Sequence, residues 1–182
     1  MNEQERVEKI KKIQTILEVE PDGKFGKISQ GALDKLKIPI KEKGVFVYGK
    51  ASSFADPADI KAFIRCKKMG GTDRECFKVG DNGVGCWGDD TNVDVPMCAV
   101  SASHMQKKTG STAINPKQAR GLQIIVFANG GNVICELRDR LPNNSPNGAV
   151  IDLNPSAAKV LGLKPPFLVD AKWAWMDEWT NS

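Results

Sequence analysis

Five cysteines and a single histidine carry the most specific chemistry in this 182-residue chain. Cys66, Cys76, Cys86 and Cys98 fall within one third of the chain at intervals near ten, and Cys135 stands apart. A tetrahedral zinc site would draw on such residues in close local pairs. There is no Cys-x-x-Cys pair, and His104 has no second histidine, so no metal and no cofactor are expected. Two disulfides among the four clustered cysteines are one reading, and five buried, reduced thiols are the other. A thiol enzyme would pair one cysteine with His104. No cysteine, however, opens a helix after a strand, where a thiolate would be stabilised.

Composition limits the function classes. Hydrophobic residues make up 41% and charged residues 26%, which suits a folded globular chain. No window approaches the ~18–20 consecutive apolar residues of a membrane span. The start, MNEQERVEKIKKI, alternates acids and bases where an export signal would be apolar. Net charge is +4, and the segments before and after residue 44 each carry +2. With no basic block to grip phosphates, a nucleic-acid partner is not expected.

Periodicity supplies the elements that would position the chemistry. Residues 4 to 18 read as a helix with Val7, Ile10, Ile13 and Leu17 on one stripe. Pro21-Asp22-Gly23-Lys24-Phe25-Gly26 is a turn, and Ser29 caps a second short helix with Ala32, Leu33 and Leu36. The stretch KIPIKEKG at 37–44 reads as a linker. A short strand follows at Val45–Tyr48, then a helix capped by Asp56 with Pro57 in its first turn. Residues 70 to 97, rich in glycine, form a long irregular loop. Leu122–Ala128, the turn Asn129-Gly130-Gly131 and Val133–Arg138 make a hairpin. Ala149–Leu153 is a further strand, Asn154-Pro155 starts a helix stopped by Gly162, and Phe167–Met176 is the last strand. Trp173 and Trp175 share one face of it and are expected in the core or at an interdomain contact.

Two stretches resemble known families. Ile13-Gln14, Leu17, Asp22-Gly23-Lys24-Phe25-Gly26 and Ala32-Leu33 resemble the small helical peptidoglycan-binding module, although a helical cap on the main domain is the alternative. Further on, Gly49-Lys50-Ala51-Ser52-Ser53-Phe54, Ser101-Ala102-Ser103-His104, Arg138-Asp139-Arg140-Leu141-Pro142 and Ile151-Asp152-Leu153-Asn154-Pro155 occur in order. Together they resemble the double-psi β-barrel of the rare lipoprotein A-like and expansin-like families. Leu141 stands where the family has glycine, and Asp94 lies one residue nearer His104 than the family's acid, with Asp89 or Asp90 as substitutes. The resemblance implies a mainly β fold with some α: a six-stranded double-psi β-barrel at 45–182, bearing the cysteine loop as an insertion, with a small helical appendage at 1–44.

The resemblance also implies a peptidoglycan glycan-strand cleaving enzyme, lytic transglycosylase-like or glycoside hydrolase-like. Glycosidic cleavage needs a proton for the leaving oxygen and, for ordinary hydrolysis, a second carboxylate. Asp139 is the candidate general acid/base, Asp94 the second carboxylate and His104 the orienting group, all three gathered around one groove. Asp152, just before a helix, is read as structural. Trp87, Arg140 and Asn143 are the substrate-binding candidates, Trp87 because sugar faces stack on aromatic planes. The alternative is a non-catalytic expansin-like module that binds or loosens cell-wall polysaccharide. Either way the partner is peptidoglycan or another cell-wall polysaccharide, met by a monomer. A cell-envelope or secreted location is implied, and a phage-encoded or cytoplasmic origin stays open.

Overall fold

A computed structural model describes residues 3–16, 20–24 and 46–179. The expected second helix around Ala32–Leu36, the linker at 37–44, Leu17 and Val45 lie outside the described residues. Six strands are described: β1 (Val47–Ser53), β2 (Met97–Ser101), β3 (Gln123–Ala128), β4 (Gly131–Leu141), β5 (Ala149–Leu153) and β6 (Leu168–Trp175). They close into a barrel in the order β1-β5-β2-β4-β3-β6. The β1·β5 and β2·β4 pairs are parallel and the other four antiparallel, so this is the six-stranded mixed barrel that the motifs implied.

Alternation along each strand fills the interior. Cys98, Val100, Ile124, Val126, Val133, Cys135, Leu137, Ile151, Leu153, Trp173 and Trp175 form one buried cluster. Trp173 is fully buried, its ring at 5.2 Å edge-on to Trp175, and its Nε1 donates to the Val150 carbonyl at 3.2 Å. Both tryptophans are therefore barrel core. The β3–β4 hairpin turns on Asn129 and Gly130, whose φ values of 52° and 74° match the two left-handed positions of a tight turn.

Strand β1 begins later and runs further than Val45–Tyr48. Its small residues, from Gly49 to Ser53, have weak intrinsic strand preference, and pairing with β5 and β6 on both sides holds them extended. Between β1 and β2 lie α1 (Pro57–Lys68), capped by Asp56, which accepts from the Ala58 and Asp59 N–H groups, and the four-residue α2 (Asp73–Cys76) with a Thr72/Glu75 capping box. One disulfide, Cys66–Cys76, clips these helices together. The second expected disulfide is absent: Cys86, Cys98 and Cys135 are free thiols. Cys98 faces the barrel interior while Cys86 lies over its outer surface, so the wall itself stands between them.

The N-terminal helix (Glu3–Ile16) packs on the outside of the barrel, where Ile13 joins Ile125, Ile134, Ala174 and Met176. Its buried Gln14 holds the following turn, donating to Asp22 Oδ1 at 2.7 Å and the Lys24 carbonyl at 3.0 Å while accepting from the Gly23 N–H. Gly23 has φ +78°, and a β-carbon there would meet Val7 at 2.7 Å, so the turn requires glycine. Among the described residues no helix is long and apolar enough to cross a membrane.

Candidate functional site on the barrel wall

A β-bulge builds the site. Cys98 of β2 pairs with Leu137 of β4, but the next residue, Ala99, pairs with Asp139, so β4 carries Arg138 as an extra residue. The inserted residue breaks the in–out alternation. Leu137 faces the core, while Arg138 and Asp139 both reach the outer side. Ala99 pairs with Asp152 of β5 on its other flank, and Asp152 pairs in turn with Ser52 of β1. Four strands thus present Asp139, Ala99, Asp152 and Ser52 in one row. Two strand spacings separate the aspartates' backbones by about 10 Å. Leu141 packs on Ala99 and Ala149 beside the row.

The insertion between β1 and β2 covers this wall. A β-carbon on Gly85 would lie 2.1 Å from the Arg138 carbonyl, and one on Gly80 would lie 2.2 Å from the Asp59 carbonyl. Only glycine permits the loop to lie so close to β4 and α1. Arg138 fastens the loop from below: it donates to Glu136 Oε2 at 2.5 Å and to Asp89 Oδ1 at 3.1 Å, and Arg120 grips Asp89 from outside. Asn154, fully buried, ties the end of the loop by donating to the Thr91 and Val95 carbonyls. Its carbonyl oxygen accepts from the Met97 and Ala157 N–H groups, so Asn154 both caps the helix α3 (Pro155–Val160) and anchors β2.

Under the loop, four carboxyls share a poorly hydrated region. Burial, opposed by the N–H groups of Arg140 and Cys86 and helped by the charge of Asp81, lifts Asp139 to about 6. Burial also lifts Asp152 to about 6, against a hydrogen bond from Ser52 and with repulsion from Asp139, Asp81 and Asp59. Asp59 rises to about 6 through burial and its neighbour Asp56, and burial raises Asp81. Asp139, Asp152 and Asp59, at about 6, pass between a proton-donating and a purely accepting form in mild acid. Among the described residues, no group of three or more histidines, cysteines or acids is arranged to hold a metal ion.

The structure separates the residues that the sequence groups around one groove. Asp94 precedes β2 and His104 follows it, with a five-residue strand of about 16 Å between them. Asp94 is exposed, and its carboxylate accepts from the Ser156 hydroxyl at 3.3 Å. His104 sits in the first turn of α4 (Ala102–Thr109), with Nδ1 2.7 Å from Ser101 Oγ and its ring edge-on to Trp173 at 5.1 Å. Burial lowers its pKa, helped by Lys107. Asp139 accepts hydrogen bonds from the Cys86 and Arg140 N–H groups, and its strand register sets it level with Asp152 in the wall row. The substitute acid Asp89 is held below its usual range by the bond from Arg120. Trp87 is half-buried against the barrel core, with Nε1 3.4 Å from the Asn115 carbonyl. Arg140 and Asn143 are exposed; Arg140 N donates to Asp139, and Asn143 Oδ1 accepts from Ser103 N at 3.1 Å. Burial, then the charge of Asp139, pushes the Cys86 thiol up to about 12, the opposite of what a nucleophile needs.

The place of Asp152 just before a helix suggests a structural role, yet Ile151 and Leu153 flanking it face the core, and period-2 alternation places Asp152 outside. For Asp59 and Asp81 no local signal exists, because only the docking of α1 and the loop brings them to the wall.

No protein-family model matches the chain, and no curated protein matches it. Solved structures do. The Streptomyces papain inhibitor is 20% identical, with a TM-score of 0.42 over 75% of this chain and 98% of its own. The apo expansin of Clavibacter michiganensis is 15% identical, with a TM-score of 0.43 over 72% of this chain. An aspartate-to-asparagine mutant of that expansin in complex with cellohexaose is 14% identical, with a TM-score of 0.42 over 72% of this chain. In both expansin structures the match spans 50% of the expansin chain.

Proposed function

We propose that this chain is a cell-wall polysaccharide-binding or polysaccharide-loosening barrel that acts without cleaving its ligand. The row Asp139–Ala99–Asp152–Ser52 carries the reading. A sugar hydroxyl both donates and accepts, and carboxyls that titrate near 6 beside a serine hydroxyl can answer in either sense. Asp139 and Asp152 keep partial exposure while Ala99 between them is buried against Leu141 and Ala149, so a ligand meets the two carboxyls rather than the whole row. Peptidoglycan and cellulose are the polysaccharides to try first. The Cys66–Cys76 disulfide suits an oxidising envelope or extracellular setting. The test is retention on purified peptidoglycan and on cellulose for the native chain, Asp139→Asn, Asp152→Asn and the double variant. Retention that weakens in the variants, with no soluble product, supports binding; equal retention by all four proteins refutes the site.

Cleavage is the second reading, favoured by one observation: a carboxyl at about 6, mostly buried, has the protonation range of a general acid. Asp139 would protonate the leaving oxygen as the glycosidic bond breaks and then, as the carboxylate, take the proton of the sugar's own hydroxyl as it closes on the same carbon, so no second carboxylate is needed. Mass spectrometry of muropeptides after incubation decides it. Anhydro-ended fragments that vanish with Asp139→Asn establish a transglycosylase, and intact strands dismiss one.

A further inference from the structure

The acidic row occupies the arc β4-β2-β5-β1 of the closed wall; the remaining arc, β1-β6-β3-β4, carries a second row of a different character. Tyr48 pairs with Lys172, Lys172 with Phe127, and Phe127 with Asn132, so four strands align these side chains across about 14 Å. Tyr48, the only tyrosine in the chain, is 61% exposed. The Lys172 ammonium lies 5.8 Å from the Tyr48 and Phe127 ring centroids and 4.7 Å from that of Phe46, which places the rings and the cation on one outer face. Tyr48, Phe127 and Lys172, together with Asn129, Asn132 and Asp170, line an open groove of about 500 Å³.

We propose that this aromatic row is a second glycan-binding surface, taking a linear oligosaccharide laid along Tyr48–Lys172–Phe127–Asn132. The inference rests on the polysaccharide-binding reading above and adds a place and a ligand class to it. Ring faces supply apolar platforms for the C–H faces of sugars, and the asparagines, Asp170 and Lys172 supply partners for their hydroxyls. Asp170 pairs with Lys50 at 3.6 Å, and Lys172 leans over the rings. A groove of this size suits a small ligand; a protein partner needs about 1,200 Å² of buried surface or more.

The experiment is an NMR titration of the full chain with cellohexaose and with chitohexaose, repeated on Tyr48→Ala, Tyr48→Phe and Asp139→Asn. The expected result is a shift of the Tyr48, Phe127, Asn132 and Lys172 resonances. Affinity should fall at least fivefold in Tyr48→Ala and stay within twofold in Tyr48→Phe, which keeps the ring. Tyr48 is exposed, so the alanine variant should retain the native spectrum; should it not, the ligand-induced shifts in the native chain decide. Shifts confined to the Asp139–Asp152 wall would overturn this inference and leave the proposed function standing. Shifts at the aromatic row that survive Asp139→Asn unchanged support it, even where retention shows no role for the carboxyl row. No shift with either sugar overturns it, and retention on the insoluble polysaccharides then judges the broader reading separately.

Discussion

Replacing Asp139 with asparagine should stabilise this protein at neutral pH while weakening what its wall binds. In the unfolded chain the carboxyl titrates at its ordinary value of 3.8, and in the fold at about 6. Between those values the native state holds a proton that the unfolded chain has released, so stability falls as pH rises through the window. At about 1.4 kcal/mol for each pH unit, the ceiling on this loss is about 3 kcal/mol. Discounting for the part of the side chain that water still reaches leaves about 1–3 kcal/mol. Asparagine keeps a carbonyl oxygen for the Cys86 and Arg140 N–H groups, which lie at 2.8 and 2.7 Å from the carboxylate, and carries no charge to bury. Removing the charge also relieves the repulsion on Asp152. Urea denaturation at several pH values from about 3 to about 8 is the assay. Asp139→Asn should match the native protein at the acid end, exceed it at the neutral end, and show a shallower slope between. A variant less stable than the native protein at neutral pH, or one with an unchanged slope, refutes the argument that a buried, destabilised charge is held at the wall.

Other consequences are open to measurement. If protonated carboxyls donate to the ligand, polysaccharide retention should be highest in mild acid and decline as pH rises past about 6, where Asp139 and Asp152 ionise; a rise over that range counts against the wall site. Asn154→Ala should cost about 3 kcal/mol or more, because it strands the Met97 N–H and the Thr91 and Val95 carbonyls in a buried place, and thermal unfolding will read the loss. Reducing Cys66–Cys76, a ten-residue separation, should loosen α1 and α2 by about 3 kcal/mol while amide exchange in the barrel strands stays slow. Iodoacetamide on the folded protein should leave Cys98 and Cys135, both buried, unmodified, and Cys86 should react far more slowly than a free thiol because its thiolate is disfavoured.

What the sequence determines by itself is local. Hairpin residues Asn129-Gly130, the alternation of Val133, Cys135 and Leu137, the Asn154-Pro155 helix start and the tryptophan face of β6 are all legible, because each depends on neighbours within a few residues. So is the choice of a mainly β barrel, since motifs in the right order carry it. Only the tertiary structure decides where the chemistry lies. Asp94, His104 and Asp139 are residues of the right type, but strand β2 runs between Asp94 and His104, and the bulge at Arg138 pairs Asp139 with Ala99. The same bulge brings Asp139 level with Asp152, a partner thirteen residues on and two strands away. Likewise the spacing of the four clustered cysteines leaves their pairing open, and only the fold joins Cys66 to Cys76 and leaves Cys86 and Cys98 as free thiols. Strand closure and loop docking are long-range, and the free energy that sets them is summed over the whole core, so no short stretch of residues records it.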